Sequence, residues 1–360
     1  MTIDVAADAG TPTRRGQAYT NEYRELTALV REAGLLRRRP GFYVATLVAS
    51  GAALGAVWTG VALVGDSWWQ LVLAALLGVV LSQIAFLGHE ACHRQMFGSA
   101  RANEWTGRIL STLVVGISYG WWMAKHTRHH ANPNRLGKDP DIESNAVAFS
   151  SEAASRRGTV GRWLVRRQGW FFLPLLTLEG WSLHVSSFRQ AFGRAPVKRR
   201  RVEITFLLVR HVAFLVAVLT LLPPGLGAAF VGVQVGVFGF LLGGAFAPNH
   251  IGMPVVPRGV EVDFLRRQVL MSRNIAGGPV VTFLMGGLEN QVEHHLFPSM
   301  ARPNLRQAQR IVSTYCREHD IAYTQTGLVA SYGVILTFLT RIGLRERDTF
   351  SCPLVRSHRG

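Results

Sequence analysis

A chain of 360 residues with a formal charge of +17 could be a basic nucleic-acid-binding protein or a membrane protein. The placement of the charges decides between them, because residues 41–65, 67–88 and 212–249 contain no charged side chain. About 20 apolar residues in a helix cross a hydrocarbon core of about 30 Å. We therefore expect an integral membrane protein that is surrounded by lipid and binds no nucleic acid. Three cysteines are too few for a disulfide framework.

Four spans are predicted, in two hairpins, at about 41–65, 67–88, 204–222 and 226–248. The turn at Asp66 and the turn at 223–225 lack Lys and Arg. Basic residues collect in cytoplasmic loops, so these turns belong outside, and both termini and the large loops are predicted to be cytosolic. Arg accounts for all but three of the 39 basic residues, and Ala, Gly and Val are abundant. This composition suggests a GC-rich bacterial genome and hence the bacterial cytoplasmic membrane.

The chain divides into a cytosolic N-terminal segment (1–40), a membrane domain (41–345) and a polar C-terminal tail (346–360). Two further apolar stretches, 109–123 and 169–183, are short or interrupted by polar residues. We expect both to lie at or near the cytosolic interface. If either crossed the membrane alone, the histidines on its two sides would be separated by the bilayer.

Eight of the twelve histidines lie in three clusters or at the end of the last span. The clusters are His89-Glu-Ala-Cys-His93, His126-Thr-Arg-His129-His130 and Gln291-Val-Glu-His294-His295, and the eighth histidine is His250. Histidines three or four residues apart share one face of a helix. Each group is expected at the cytosolic end of a span or in a cytosolic loop, so all eight imidazoles can converge there. Eight imidazoles exceed the needs of one four-coordinate zinc ion, and an all-nitrogen ligand set suits iron, so the pattern favours two iron ions.

The three clusters resemble the histidine boxes of the membrane fatty acid desaturase family. The third cluster belongs to a longer string, residues 286–298, in which Gln291 replaces a leading histidine. That form is typical of front-end desaturases and of related bacterial acyl-CoA or acyl-lipid desaturases. The resemblance runs from about residue 40 to 345 and also includes 131–134 with 139–141, 248–250 and 272–274.

The resemblance implies an all-α membrane protein with four transmembrane helices under a cytosolic helical cap that holds two non-haem irons. The implied metal ligands are His89, His93, His126, His129, His130, His250, His294 and His295. Gln291 could bind metal, hold a water or orient a neighbour. A second group could hydrogen-bond the ligand imidazoles, or could form ordinary salt bridges and helix caps: Asn249, Glu90, Asp139, Asp141 and Glu293.

The function implied is that of an oxidoreductase of unsaturated fatty acid biosynthesis. It would use O2 to introduce a double bond into an acyl-CoA or acyl-lipid. The sequence contains no His-Pro-Gly-Gly motif of a fused haem domain, so electrons are expected from a separate ferredoxin-type or flavoprotein reductase. One alternative is a related membrane di-iron hydroxylase or a carotenoid- or sphingolipid-modifying oxygenase. Another is a metal transporter or sensor, although transport sites lie near mid-membrane and these histidines lie at helix ends.

Overall fold

The computed structural model describes residues 14–143 and 146–344, with side chains from residue 21 onward. Its helices are α1 (Arg14–Glu32), α2 (Pro40–Val64), α3 (Gln70–Cys92), α4 (Ala100–Gly107), α5 (Tyr119–Ala131), α6 (Ser151–Ser155), α7 (Thr159–Val165), α8 (Gln168–Leu176), α9 (Glu179–Phe192), α10 (Arg200–Leu221), α11 (Pro224–His250), α12 (Phe264–Leu270), α13 (Pro279–Met285), α14 (Gln291–Leu296), α15 (Arg302–Glu318) and α16 (Leu328–Leu344). A wider π-helical segment, Arg108–Val115, continues α4. The two short strands β1 (Asn274–Ala276) and β2 (Gln325–Gly327) pair in parallel.

Four of the described helices are long and apolar enough to cross a membrane: α2, α3, α10 and α11. They coincide with the four predicted spans and confirm the predicted class, an all-helical integral membrane protein. α3 and α11 continue for several residues past their apolar stretches, as far as Cys92 and His250. Helical hydrogen bonding does not stop where hydropathy falls, so these extensions carry histidines on regular helix.

α3 and α11 form the centre of the membrane part. A side-chain carbon on Gly78 of α3 would lie 2.9 Å from the Gln234 carbonyl oxygen of α11, so a glycine is needed for this approach. Around the contact, Leu77, Phe238 and Leu242 belong to one buried apolar cluster. Small residues allow helix backbones to approach closely in a membrane, where packing drives association. The two helices that end in His89–Cys92 and His250 are therefore held side by side.

The apolar stretch 169–183 forms α8 and the start of α9, two successive helices that lie beside α11. A side-chain carbon on Gly239 would lie 2.3 Å from the Gly180 backbone nitrogen. Gly239 precedes His250 by eleven residues, which is about 16 Å along a helix. The junction of α8 and α9 therefore lies along the membrane helix and not at its end. The other short stretch, 109–123, is broken at Gly116, whose φ is +94°.

The third histidine cluster lies in a separate layer of helices beyond the end of α11. α1, α12, α14 and α15 share an apolar cluster that includes Leu26, Val269, Leu296, Leu305 and Val312. Hence α1, within the predicted N-terminal segment, packs on the helices that carry and support the histidines. The predicted tail, 346–360, lies outside the described residues.

We predict that Gly239→Ala destabilises the protein by about 1–3 kcal/mol, because the added carbon has no room against the α9 backbone. The matched control is Gly232→Ala in the same helix, where an added carbon meets nothing within 4 Å. That change should be neutral or slightly stabilising, since Ala is the better helix former. Thermal unfolding of the purified proteins in detergent measures both. Equal melting temperatures for the two variants would contradict the packing described here.

Candidate metal centre

The histidines lie in the last turns of four helices or just beyond them. α3 carries His89 and is followed by His93, α5 carries His126 and its two neighbours, and α11 ends at His250. α14 carries His294 and His295. The carboxyl end of a helix has a partial negative charge that stabilises nearby cations. All four helices therefore favour a positive ion at the place where they meet.

Five histidines form the first group, with one ring nitrogen from each within 4.8 Å of the others. The Nε2 atom of His126 lies 2.9 Å from that of His89, 2.8 Å from that of His93 and 3.0 Å from that of His130. His294 completes the group.

Three histidines form the second group: His129, His250 and His295. The Nε2 atoms of His129 and His250 are 3.3 Å apart. The side-chain amide of Gln291 joins this group, with Nε2 3.0 Å from the His250 Nε2 atom. The other end of that amide, Oε1, accepts a hydrogen bond of 3.2 Å from Asn249. Asn249 therefore hydrogen-bonds the Gln291 side chain and not a ligand imidazole.

The distances between the ring nitrogens suit atoms that bind a shared metal ion. Two ligands at right angles, each about 2.1 Å from a shared ion, are separated by about 3.0 Å. The Nε2 contacts within the groups cluster around this value. The Nε2 atoms of His294 and His295 are buried and have no hydrogen-bond partner among the described residues. Buried polar atoms normally have partners, so these two are arranged for a ligand.

Burial keeps most of these imidazoles neutral. It lowers the pKa of His93 to about 3. Burial first, and then the neighbouring histidines, lower the pKa of four others: His126, His130, His294 and His295. A neutral imidazole is the form that binds metal, so these rings are ready to bind ions at neutral pH.

His129 differs because two carboxylates face its Nδ1 atom. Asp139 and Asp141 each lie 3.1 Å from it. Burial favours the neutral ring, but the two carboxylates outweigh burial and raise the pKa of His129. The backbone N–H groups of Asn134 and Asp141 donate to Asp139 at 2.7 and 3.0 Å and fix its orientation. A proton held on Nδ1 leaves Nε2 free to bind metal.

Hydrogen bonds with two further residues hold the histidines in place, and the sequence alone did not indicate them. The His295 Nδ1–H donates to the Gln268 side-chain oxygen at 2.9 Å, and the amide of Gln268 donates to the His130 carbonyl at 3.0 Å. The His250 Nδ1–H donates to the backbone carbonyl of Met271 at 3.0 Å. Both partners belong to α12 or the residue after it. α12 contacts the histidines only in the folded chain, so the spacing of residues along the sequence could not predict these hydrogen bonds.

For two acidic residues, the structure favours the alternative to an imidazole contact. Glu90 forms a buried ion pair with Arg302. Glu293 accepts hydrogen bonds from Asn274 at 2.7 Å and from Tyr323 at 2.8 Å. Each follows or precedes a histidine directly, and adjacent residues point about 100° apart around a helix. Both carboxylates therefore anchor the backbone of the histidine segments to neighbouring elements.

A long cavity of about 830 Å³ passes the histidines. His89 and His126 of the first group and His129 and His250 of the second line its wall. Most other lining residues are apolar, among them Phe86, Trp122, Phe172, Leu176, Leu242, Phe246 and Phe338. Ions held by either group would therefore lie beside a space suited to a hydrocarbon chain.

Residues 66–327 match the family model described as fatty acid desaturase. The chain belongs to the fatty acid desaturase family. Among its relatives, the Acyl-lipid (9-3)-desaturase of Physcomitrium patens is 28% identical over 89% of this chain and 62% of the relative. The Delta(8)-fatty-acid desaturase 2 of Arabidopsis thaliana is 28% identical over 84% of this chain and 70% of the relative. The Delta(8)-fatty-acid desaturase of Euglena gracilis is 29% identical over 85% and 76%.

Membership of the fatty acid desaturase family confirms the family predicted from the histidine boxes and, with it, the predicted class of enzyme, an oxidoreductase. The alternative of a metal transporter or sensor is not supported. The chain spans less than two thirds of the length of the moss relative. The named relatives are eukaryotic.

We predict that Asp139→Asn weakens ferrous iron binding about 10- to 100-fold, because the amide no longer accepts the His129 Nδ1 proton as strongly. Iron retained per chain during titration with a chelator measures the effect. Glu143→Gln is the matched control, since Glu143 lies exposed in the same loop. If both variants lost iron at the same chelator concentration, the proposed support of His129 by Asp139 would be wrong.

Proposed function

We propose that this desaturase uses O2 and a pair of iron ions to introduce a double bond into an acyl chain bound in the cavity. One observation carries the proposal: histidines of both groups line the same long, mainly apolar cavity. An iron pair beside a hydrocarbon site is what oxidation of an unactivated chain requires.

The two groups suggest how the ions are shared. His89, His93, His126, His130 and His294 would hold one iron, and His129, His250 and His295 would hold the other. Gln291 would complete the smaller set. Turning over the side-chain amides of both Gln291 and Asn249 would direct the Gln291 oxygen toward the ion and let the Asn249 oxygen, which has no partner among the described residues, accept from Gln291. A carbonyl oxygen is an acceptable iron ligand beside imidazoles.

The bound iron pair would supply the oxidation that removes two hydrogen atoms from adjacent carbons. For each double bond, one O2, two external electrons and two protons are consumed with the two hydrogens, and two waters form. The chain itself must hold the acyl group still, because neighbouring methylenes are chemically almost identical. Trp122 stacks on His126 with ring centroids 4.9 Å apart, and Phe246 packs on Trp122 at 5.7 Å. These rings pack beside His126 in the cavity wall and would limit the access of water to it.

Electrons would come from a separate ferredoxin-type or flavoprotein reductase. The formal charge of +17 suits an acidic electron carrier. Turns without basic residues at the opposite ends of the spans support placing the site on the cytosolic face of the membrane. The abundance of Arg, Ala, Gly and Val supports a bacterial cytoplasmic membrane.

We predict that the purified protein binds about two irons per chain, since eight imidazoles exceed the needs of one ion. His294→Ala should remove an ion from the five-histidine group, and His250→Ala should remove one from the three-histidine group. Either change should abolish double-bond formation. Elemental analysis and gas chromatography of cellular fatty acids measure the two effects.

His319→Ala is the control, because His319 lies in α15's carboxyl-terminal cap and outside both groups. This variant should still bind two irons per chain and still form the unsaturated product. Zinc in place of iron, or unsaturated product from either of the first two variants, would refute the proposed iron assignment.

A further inference from the structure

α9 exposes apolar side chains on its outward face, whereas a helix of a soluble protein exposes polar ones there. On its outward side Trp181, Val185 and Phe192 are 48%, 44% and 57% exposed. α9 lies beside the membrane helix α11, so this outward face is suited to lipid. Its buried side chains, which include Leu183 and Ser187, point the other way, into the protein.

Between its outward and its buried faces, α9 carries a polar stripe along the cavity wall. Glu179, Ser182, Ser186 and Gln190 all line the cavity. Their spacing of three or four residues places them in one row along the helix. From the first to the last they span eleven residues, or about 16 Å. We call these four residues the α9 stripe.

The side chains of the α9 stripe make no hydrogen bond to the part of the chain that the structure describes, and Glu179 is attracted by the charge of Lys125. The neighbouring Ser187 is different, because its hydroxyl donates to the Leu183 carbonyl at 2.8 Å and accepts from the Ser118 backbone N–H at 2.9 Å. Polar groups in an apolar environment cost free energy unless they find partners. Four such groups in one row on a cavity wall are therefore suited to a ligand with several hydrogen-bonding groups.

The rest of the cavity offers a contrasting wall. Phe172, Leu176 and Phe338 line it and belong to one apolar cluster under α6, α8 and α16. The wall also includes Lys125, whose ammonium pairs with Asp141 at 2.7 Å. The cavity therefore offers apolar contacts that suit a hydrocarbon tail and polar contacts that suit a polar end.

We propose that the α9 stripe binds the polar carrier end of the acyl substrate, meaning the ester or thioester carbonyl and the hydrogen-bonding groups next to it. This inference rests on the proposed desaturase function. With the carrier held on α9 and the tail on the apolar wall, the length of chain between them fixes which carbon lies beside the histidines. The stripe is then a determinant of double-bond position.

Two carriers share this chemistry, a membrane phospholipid and coenzyme A. The experiment therefore supplies saturated chains in two forms to full-length, iron-loaded protein with a reductase: phosphatidylcholine in nanodiscs, and acyl-CoA. The test variant is Ser186→Ala with Gln190→Leu. Ser187→Ala is the structural control in the same turn, and Val185→Ala is the lipid-facing control.

We expect the double variant to raise KM about ten-fold for the carrier that the wild type uses, since two hydrogen bonds are lost. It should also spread the double bond over neighbouring positions, measured by mass spectrometry of the products. Ser187→Ala should lower the melting temperature without moving the double bond, and Val185→Ala should change neither. An unchanged KM and a single, unchanged double-bond position in the double variant would overturn the inference.

Photolabelling tests the same inference without turnover. A phosphatidylcholine and an acyl-CoA, each with a diazirine beside the acyl carbonyl, should label residues 179–190. The same molecules with the diazirine at the chain terminus should label the apolar wall around Phe172 and Phe338. The reverse pattern would overturn the inference even in an active enzyme. Correct labelling with no unsaturated product would instead reject the desaturase function and leave the carrier site standing.

Discussion

Everything in this structure depends on bringing eight imidazoles to one place in a membrane protein. Burial holds most of the rings outside the spans neutral, and neutral nitrogens about 3 Å apart have little reason to approach one another without an ion. The imidazoles are brought together by the ends of helices from different parts of the chain. α3 and α11 carry histidines past their apolar lengths, α5 carries the second cluster, and α14 carries the third. The partial negative charge of these helix ends favours the cation that the rings can share.

The surrounding fold holds that arrangement by close packing and by buried polar contacts. Glycines allow α3 and α9 to approach α11 at backbone distance. Beyond the membrane helices, the ion pair of Glu90 and Arg302 joins α3 to α15, and Glu293 joins α14 to β1 and to Tyr323. Breaking a buried pair of this kind leaves an uncompensated charge, which is strongly destabilising. The histidine segments are thus fixed from both the membrane side and the outer layer.

The sequence alone predicted the features that depend on local residue patterns. Uncharged stretches of membrane length gave the four spans, and histidine spacing gave the eight convergent side chains. Asp139 and Asp141 could be suspected because they lie near His129 in the chain. Gln268 and Met271 could not, because contacts between α12 and the histidines exist only in the folded chain. The choice between the two alternatives for Glu90 and Glu293 could not be made, because sequence proximity to a histidine says nothing about direction around a helix. The polar side of α9 was equally hidden, since its lipid-facing side makes the whole stretch look simply apolar.

Anomalous diffraction at the iron absorption edge, from crystals of the iron-loaded protein, tests the central claim most directly. The account predicts two separate peaks. One lies among the Nε2 atoms of His89, His93, His126, His130 and His294, and the other among those of His129, His250 and His295. A single peak, or peaks away from both groups, would contradict it.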